Sequence, residues 1–237
     1  MPKKLIAAAT LIFLLLLVGI IAVQLNNEEK TSTESNMPFM AMPEEYINYT
    51  IIRVNGKPWA KVDGIYPIQT RSWTNHLMMV YPIPPGTINI TITMDENQLE
   101  WSNFTELYPN ALHYTALGNW TMISCILNRV PEYFTLKIHY EHPLVLINGS
   151  YTFLYDLNIR DYLSSISPRS TAYFTIHMKI NYENLKVKTI ATDGKITPIN
   201  YTTKTNNIIN TITFQVISEY GKPLLGDILG TFTEKPN

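Results

Sequence analysis

The stretch Tyr133 to Tyr140, YFTLKIHY, decides the class of this fold. Phe134, Leu136, Ile138 and Tyr140 fall on one side of it, Tyr133, Thr135, Lys137 and His139 on the other. A period of two belongs to a pleated strand with one face on a core and the other in water. A helix would repeat its apolar residues every three or four positions. Thr87 to Met94 repeats the pattern, with Ile88, Ile90, Ile92 and Met94 against Thr87, Asn89, Thr91 and Thr93. Ala172 to Tyr182 does so through Phe174, Ile176, Met178 and Ile180, and Tyr151 to Ile159 through Tyr151, Phe153, Tyr155, Leu157 and Ile159.

Outward from these, Tyr46 to Val54, Trp59 to Val62, Trp120 to Leu127, Leu185 to Thr192, Ile208 to Ser218 and Leu224 to Thr233 have strand composition. Asn55-Gly56 reads as a tight reversal, Asp63-Gly64 as a second turn, and Gly118-Asn119 as the turn of a hairpin begun at Tyr114 to Leu117. Pro67, Pro82, Pro84 and Pro85 predict loop or edge from Ile65 to Pro85, because proline has no N–H to give a ladder. Asp161 to Ile166 is compatible with a single helical turn, and no longer helical period exists between Glu45 and Asn237. About ten short strands separated by turn signals predict an all-β, antiparallel β-sandwich over 45–237, with two β subdomains divided near 128–131 as the alternative.

Before that domain stands Leu5 to Val23, LIAAATLIFLLLLVGIIAV, with Thr10 its one polar side chain. As a helix it would reach about 28 Å, close to the thickness of a bilayer's hydrocarbon core. Lys3 and Lys4 precede it while Glu28 and Glu29 follow, which predicts a cytoplasmic N-terminus and an extracytoplasmic bulk. The reading over 1–23 is a signal-anchor spanning the lipid bilayer. A cleaved signal peptide is the alternative, but neither Ile20-Ile21-Ala22 nor Ala22-Val23-Gln24 forms a small-x-small site. A lipid-modified Cys is excluded at this place, since the one cysteine is Cys125. Residues 24–44, rich in Ser, Thr, Asn and Glu, read as a polar flexible stalk.

The net charge of −1 and the scarcity of charge (16%) offer no basic surface to nucleic acid. One cysteine makes no intramolecular disulfide, and Cys125, among Met122, Ile123, Ile126 and Leu127, reads as a small buried hydrophobe. Six N-x-S/T sequons, at Asn48, Asn89, Asn103, Asn119, Asn148 and Asn200, are candidate N-glycosylation sites in an extracytoplasmic domain. His139-Tyr140-Glu141-His142 resembles a metal motif only superficially. On a strand His139 and Glu141 share a face and His142 opposes them, whereas zinc needs three or four convergent ligands. His76, His113 and His177 are isolated, and Asp95, Glu96, Asn97 and Glu100 read as an acidic turn without the glycine of an EF-hand. No G-x-S-x-G elbow, P-loop or G-x-G-x-x-G occurs, so no catalytic residue, cofactor or metal is assigned. Trp59, Trp73, Trp101 and Trp120, with fifteen tyrosines, could stack on sugars but read first as packing.

Tyr133 to Pro143 (YFTLKIHYEHP), Tyr151 to Leu157 (YTFLYDL), Ala172 to Ile176 (AYFTI) and Ile217 to Gly226 (ISEYGKPLLG) resemble a group of archaeal membrane-anchored surface proteins of uncharacterised activity. That resemblance implies a β-rich outer domain behind an N-terminal membrane segment, and it brings no catalytic residue. The expected function is a non-catalytic cell-envelope, adhesion or partner-binding module whose partner is an envelope protein or a glycan. The alternatives are an accessory subunit of a larger membrane complex and an extracytoplasmic glycan hydrolase.

Overall fold

The computed structural model describes residues 40–70, 74–104, 120–157, 162–191, 194–206 and 209–235. The chain lays down β1 (Met40–Ala41), β2 (Glu44–Val54), β3 (Lys57–Thr70), β4 (Thr74–Ile83), β5 (Ile88–Met94), β6 (Asn97–Leu99) and β7 (Trp101–Phe104). Then come β8 (Thr121–Val130), β9 (Tyr133–Pro143), β10 (Val145–Ile147), β11 (Ser150–Tyr155) and β12 (Arg169–Met178). It ends with β13 (Tyr182–Ile190), β14 (Ile196–Pro198), β15 (Thr202–Asn206), β16 (Ile209–Glu219) and β17 (Asp227–Glu234). The described protein is all-β.

A nine-stranded sheet runs β15-β16-β12-β2-β3-β9-β5-β6, with β1 against β3. A five-stranded sheet runs β10-β11-β17-β13-β14 and a three-stranded one β4-β8-β7. Pairing is antiparallel throughout, except that β2 lies parallel to β12, Glu45 opposite Ala172 and Ile51 opposite Met178. The two strands are more than a hundred residues apart, and no local pattern announces such a pair. The period of two in YFTLKIHY appears as burial: Phe134, Leu136, Ile138 and Tyr140 are buried while their neighbours are not.

One hydrophobic cluster takes residues from all three sheets, among them Tyr49, Ile92, Ile123, Leu127, Tyr140, Phe153 and Phe232. Side chains before and after 128–131 therefore share one core. Between sheets the contacts are aromatic: Tyr49 on Phe153 (5.0 Å), Tyr81 on Tyr140 (6.1 Å) and Tyr155 on Phe174 (5.3 Å). A smaller cluster of Trp120, Leu154, Ile190 and Leu229 covers the opposite face of the five-stranded sheet, so β11 is buried on both faces.

Asn55 (φ 51°) and Gly56 (φ 77°) form the expected reversal between β2 and β3, both in the left-handed region that a two-residue hairpin demands. Asp63-Gly64, in contrast, is no turn. Both lie inside β3, paired with β2 and β9. Nor is Ile65 to Ile83 irregular where it is described, since it holds the second half of β3 and all of β4, whereas Pro84 and Pro85 lie between strands as expected. Pro67 is tolerated in a central strand for a local reason. The Thr135 N–H donates to Asp95 Oδ1 (2.8 Å) and the Thr135 carbonyl accepts from the Asp95 N–H (3.0 Å), so both face β5. Pro67, opposite Thr135, thus turns its backbone toward the β1–β2 side. There the ladder pauses between Ile65–Tyr46 and Gln69–Ala41, and no donor is required. Pro82 sits on β4, an edge strand.

Ordered structure also starts earlier than Glu45. Met40–Ala41 pairs with β3, and Ala41 and Met42 are buried, inside the stretch read as stalk. The anchor Leu5 to Val23, the Tyr114 to Leu117 half of the expected hairpin and Asp161 lie outside the described residues. Among the described residues no helix is long and apolar enough to cross a membrane.

Candidate functional site

The chemistry that this sequence hides best sits where β2, β3 and β9 face β4 and β11. Glu45 lies on the core face of β2, in step with Ile47, Tyr49 and Ile51, and is 2% exposed. A carboxylate there loses its hydration, and burial, reinforced by the nearby Asp156, raises its pKa to about 7 against the opposing hydrogen bond from Tyr155. Tyr155 Oη donates to Glu45 Oε2 (2.9 Å), and the chain continues from Tyr155 to Tyr66 (3.1 Å) and on to Tyr81 (2.9 Å). Tyr49 Oη donates to the Leu154 carbonyl (3.4 Å). Burial pushes all these phenols well above their ordinary range. Gly64 makes the cluster possible, because the Tyr66 ring lies where a Cβ at position 64 would stand. Among the described residues Glu45 Oε1 has no partner, and neither has the hydroxyl of Ser170 on neighbouring β12.

Beside this chain, Asp227 hydrogen-bonds Asp156 and accepts from the Leu157 N–H (3.3 Å). Burial raises the Asp227 pKa against the opposing hydrogen bonds from Asp156 and the Leu157 N–H.

At the end of β9 lies a second feature. His142 and Trp120, each 3% exposed, line a recess with Pro84, Pro85, Pro143 and Phe153. The recess has room for about one water-sized group. His142 Nδ1 lies 3.1 Å from the Pro143 carbonyl. Since a carbonyl only accepts, that nitrogen carries the proton. Burial lowers the His142 pKa to about 4, leaving the ring neutral near pH 7. Among the described residues its Nε2 and the Trp120 Nε1–H have no partner.

His139, Glu141 and His142 divide between faces as their spacing requires. His139 Nδ1 meets Asp63 Oδ1 at 2.7 Å and Lys61 Nζ meets Glu141 Oε1 at 2.8 Å on the outer face, with His142 in the core. The Lys61 hydrogen bond holds Glu141 below its ordinary pKa. Asp95 (φ 46°) and Glu96 (φ 71°) form the β5–β6 turn, Glu96 pairing with Lys137. His177 Nδ1 is 3.2 Å from Thr211 Oγ1 and His76 Nδ1 is 2.6 Å from Asn128 Oδ1, whereas His113 lies outside the described residues. Among the described residues no three His, Cys, Asp or Glu are grouped to hold a metal. Cys125 is buried, which pushes its thiol pKa up.

Of the sequon asparagines, Asn89, Asn103, Asn148 and Asn200 are exposed. Asn148 (φ 49°) starts the β10–β11 turn, and Asn89 (φ 57°) stands at a bulge of β5 and hydrogen-bonds Glu141. Asn48 is half-buried on β2, and Asn119 lies outside the described residues. Sequence reasoning missed Glu45, which beside Glu44 reads as one of two surface acids. The alternation Glu45, Ile47, Tyr49, Ile51 is the signal that places it inside.

No protein-family model matches the chain, and no curated protein sequence does. Among solved structures, the chain is similar to a candidate nutrient binding protein of Legionella pneumophila, with TM-score 0.53 at 8% identity over 83% of this chain and 67% of that one. It is more loosely similar to an M1 zinc metallopeptidase of Deinococcus radiodurans (TM-score 0.41, 13% identity, 82% of this chain) and to yeast LTA4 hydrolase with bestatin (0.42, 9%, 86%). The chain spans only 42% and 32% of those two enzymes. At such identities the likeness to the Legionella protein is one of fold alone.

Proposed function

We propose that the chain is a non-catalytic, membrane-anchored extracytoplasmic module that binds an envelope protein or a glycan, its three sheets closing as a β-sandwich. The anchor is Leu5 to Val23, with the N-terminus in the cytoplasm. The observation that carries the reading is the division between inside and outside. The unusual acids and tyrosines turn into the core and bond to one another, while Asn89, Asn103, Asn148 and Asn200, the residues a glycan would use, face solvent. Replacing Leu15 by Arg tests the anchor, since a charge at mid-span costs about 2.5–3.5 kcal/mol on insertion. The variant is expected to lose membrane binding. Normal anchoring and export of the variant would overturn the reading, as would turnover of a glycan or peptide by the purified chain.

A second reading, an accessory subunit of a larger membrane complex, is favoured by one surface. Met78 on β4 and Ile126 on β8 face each other across strands and are 56% and 60% exposed, with Val80 beside them. Migration of the detergent-solubilised native protein as a monomer would count against it.

A further inference from the structure

Where the ladder of β3 with β1 and β2 pauses, the nine-stranded sheet carries an open recess. It measures about 260 Å³. A single water needs about 10–15 Å³, and pockets for drug-sized ligands run to about 300–1,000 Å³. The recess therefore has room for one ring-sized ligand. Pro67, Gln69, Tyr133 and Thr135, which alternate with buried neighbours and so face outward, line it together with Pro43 and Asp95. Tyr133, opposite Gln69 in the β3–β9 ladder, is 67% exposed. Gln69 Nε2 donates to Tyr133 Oη (3.0 Å), which holds the ring in place. Among the described residues Gln69 makes no other side-chain bond, so its amide keeps an acceptor oxygen and a second N–H. Asp95, exposed at the β5–β6 turn, takes the Thr135 N–H on Oδ1 (2.8 Å), and its other oxygen bonds no group among the described residues.

The walls select the ligand. Asp95 is the one charged lining group, and it repels anions. An ammonium or guanidinium only donates and would leave the Gln69 N–H unmet. Pro43 and Pro67 have no N–H, so they give an extended peptide no backbone donor for strand addition. An exposed ring beside an amide and a carboxylate suits a molecule with one C–H face and a rim of hydroxyls, which a sugar has. We propose that this recess binds one neutral hexopyranose ring of a glycan, its C–H face on Tyr133 and its hydroxyls on Gln69 and Asp95. The inference rests on the glycan arm of the reading above, and not on the anchor or on an envelope-protein partner.

The test uses the full chain in a detergent without a sugar headgroup, probed by saturation-transfer NMR with glucose, galactose, mannose and N-acetylglucosamine. At least one of these is expected to receive saturation on its ring C–H protons, and neither glucuronate nor arginine should displace it. Tyr133→Ala should weaken binding about tenfold, the order of truncating an aromatic anchor, while Tyr133→Phe keeps the ring and most of the affinity. Asp95→Asn, tolerated at φ 46°, still accepts from Thr135 and should weaken binding about fivefold, a charged hydrogen bond having become a neutral one. No transfer to any of the four sugars, transfer unchanged in Tyr133→Ala, or displacement by glucuronate or arginine would overturn the proposal. Membrane sedimentation reads the anchor separately. Sugar binding by a chain that stays off membranes would refute the anchor and leave this site standing, and a membrane-bound chain that binds no sugar would do the reverse.

Discussion

Glu45 and His142 are two buried titratable side chains pushed in opposite directions by the same cause. Burial disfavours charge, so it raises the carboxyl to about 7 and lowers the imidazole to about 4. For Glu45 the folded pKa lies above the ordinary 4.5, so the folded state holds a proton that the unfolded chain releases, and stability falls as pH rises from 4.5 through about 7. For His142 the folded pKa lies below the ordinary 6.5, so stability is complete above 6.5 and is lost as pH falls toward about 4. Between 4.5 and 6.5 the two slopes, each about 1.4 kcal/mol per pH unit, oppose one another. Chemical denaturation across that window should show Glu45→Gln tilting the profile toward higher stability with pH, and His142→Phe tilting it the other way. Parallel profiles for wild type and both variants would refute the burial of these charges. Gly64→Ala, whose new methyl would overlap the Tyr66 ring, is expected to cost about 1–3 kcal/mol in unfolding free energy. A neutral result would mean that the tyrosine chain is not packed as described.

At the scale of strands, β3 shows what its sequence disclosed and what it did not. The alternation in YFTLKIHY is a property of one strand with one wet face, so it was legible in the residues themselves. In Ile88 to Met94 only Ile92 is buried, because a bulge at Asn89 breaks the period and leaves Ile88 exposed. Asp63-Gly64 misleads because glycine usually marks a turn, whereas here it clears space for an aromatic ring two residues on. Pro67 misleads because the gap that excuses its missing N–H lies between β1 and β2, some twenty residues away in sequence. The parallel β2–β12 pair and the Glu45–Tyr155 bond are non-local and left no trace in any window. Parity along β3 yields a sharp expectation. Pro67→Ala should change stability little, since no ladder partner awaits its new N–H. Ile65→Pro, two residues away, deletes a donor that faces Tyr46 on β2 and should cost about 3 kcal/mol. Equal effects of the two substitutions in urea unfolding would contradict the register.

For the whole molecule, sheets of nine, five and three strands gather one aromatic core, and the polar groups buried in it bond chiefly to one another. On the outer surface stand the sequon asparagines Asn89, Asn103, Asn148 and Asn200 and the Met78–Ile126 strip. The proposed anchor Leu5 to Val23 would hold this body outside the membrane. The measurement that tests it most directly is protease accessibility on intact cells of the native host, with mass spectrometry of the membrane-bound chain. A protease-accessible body, retention of Leu5 to Val23, and glycan mass on Asn89, Asn103, Asn148 or Asn200 are expected. A body protected until the cells are broken, and free of glycan, would place it on the cytoplasmic side and contradict the account.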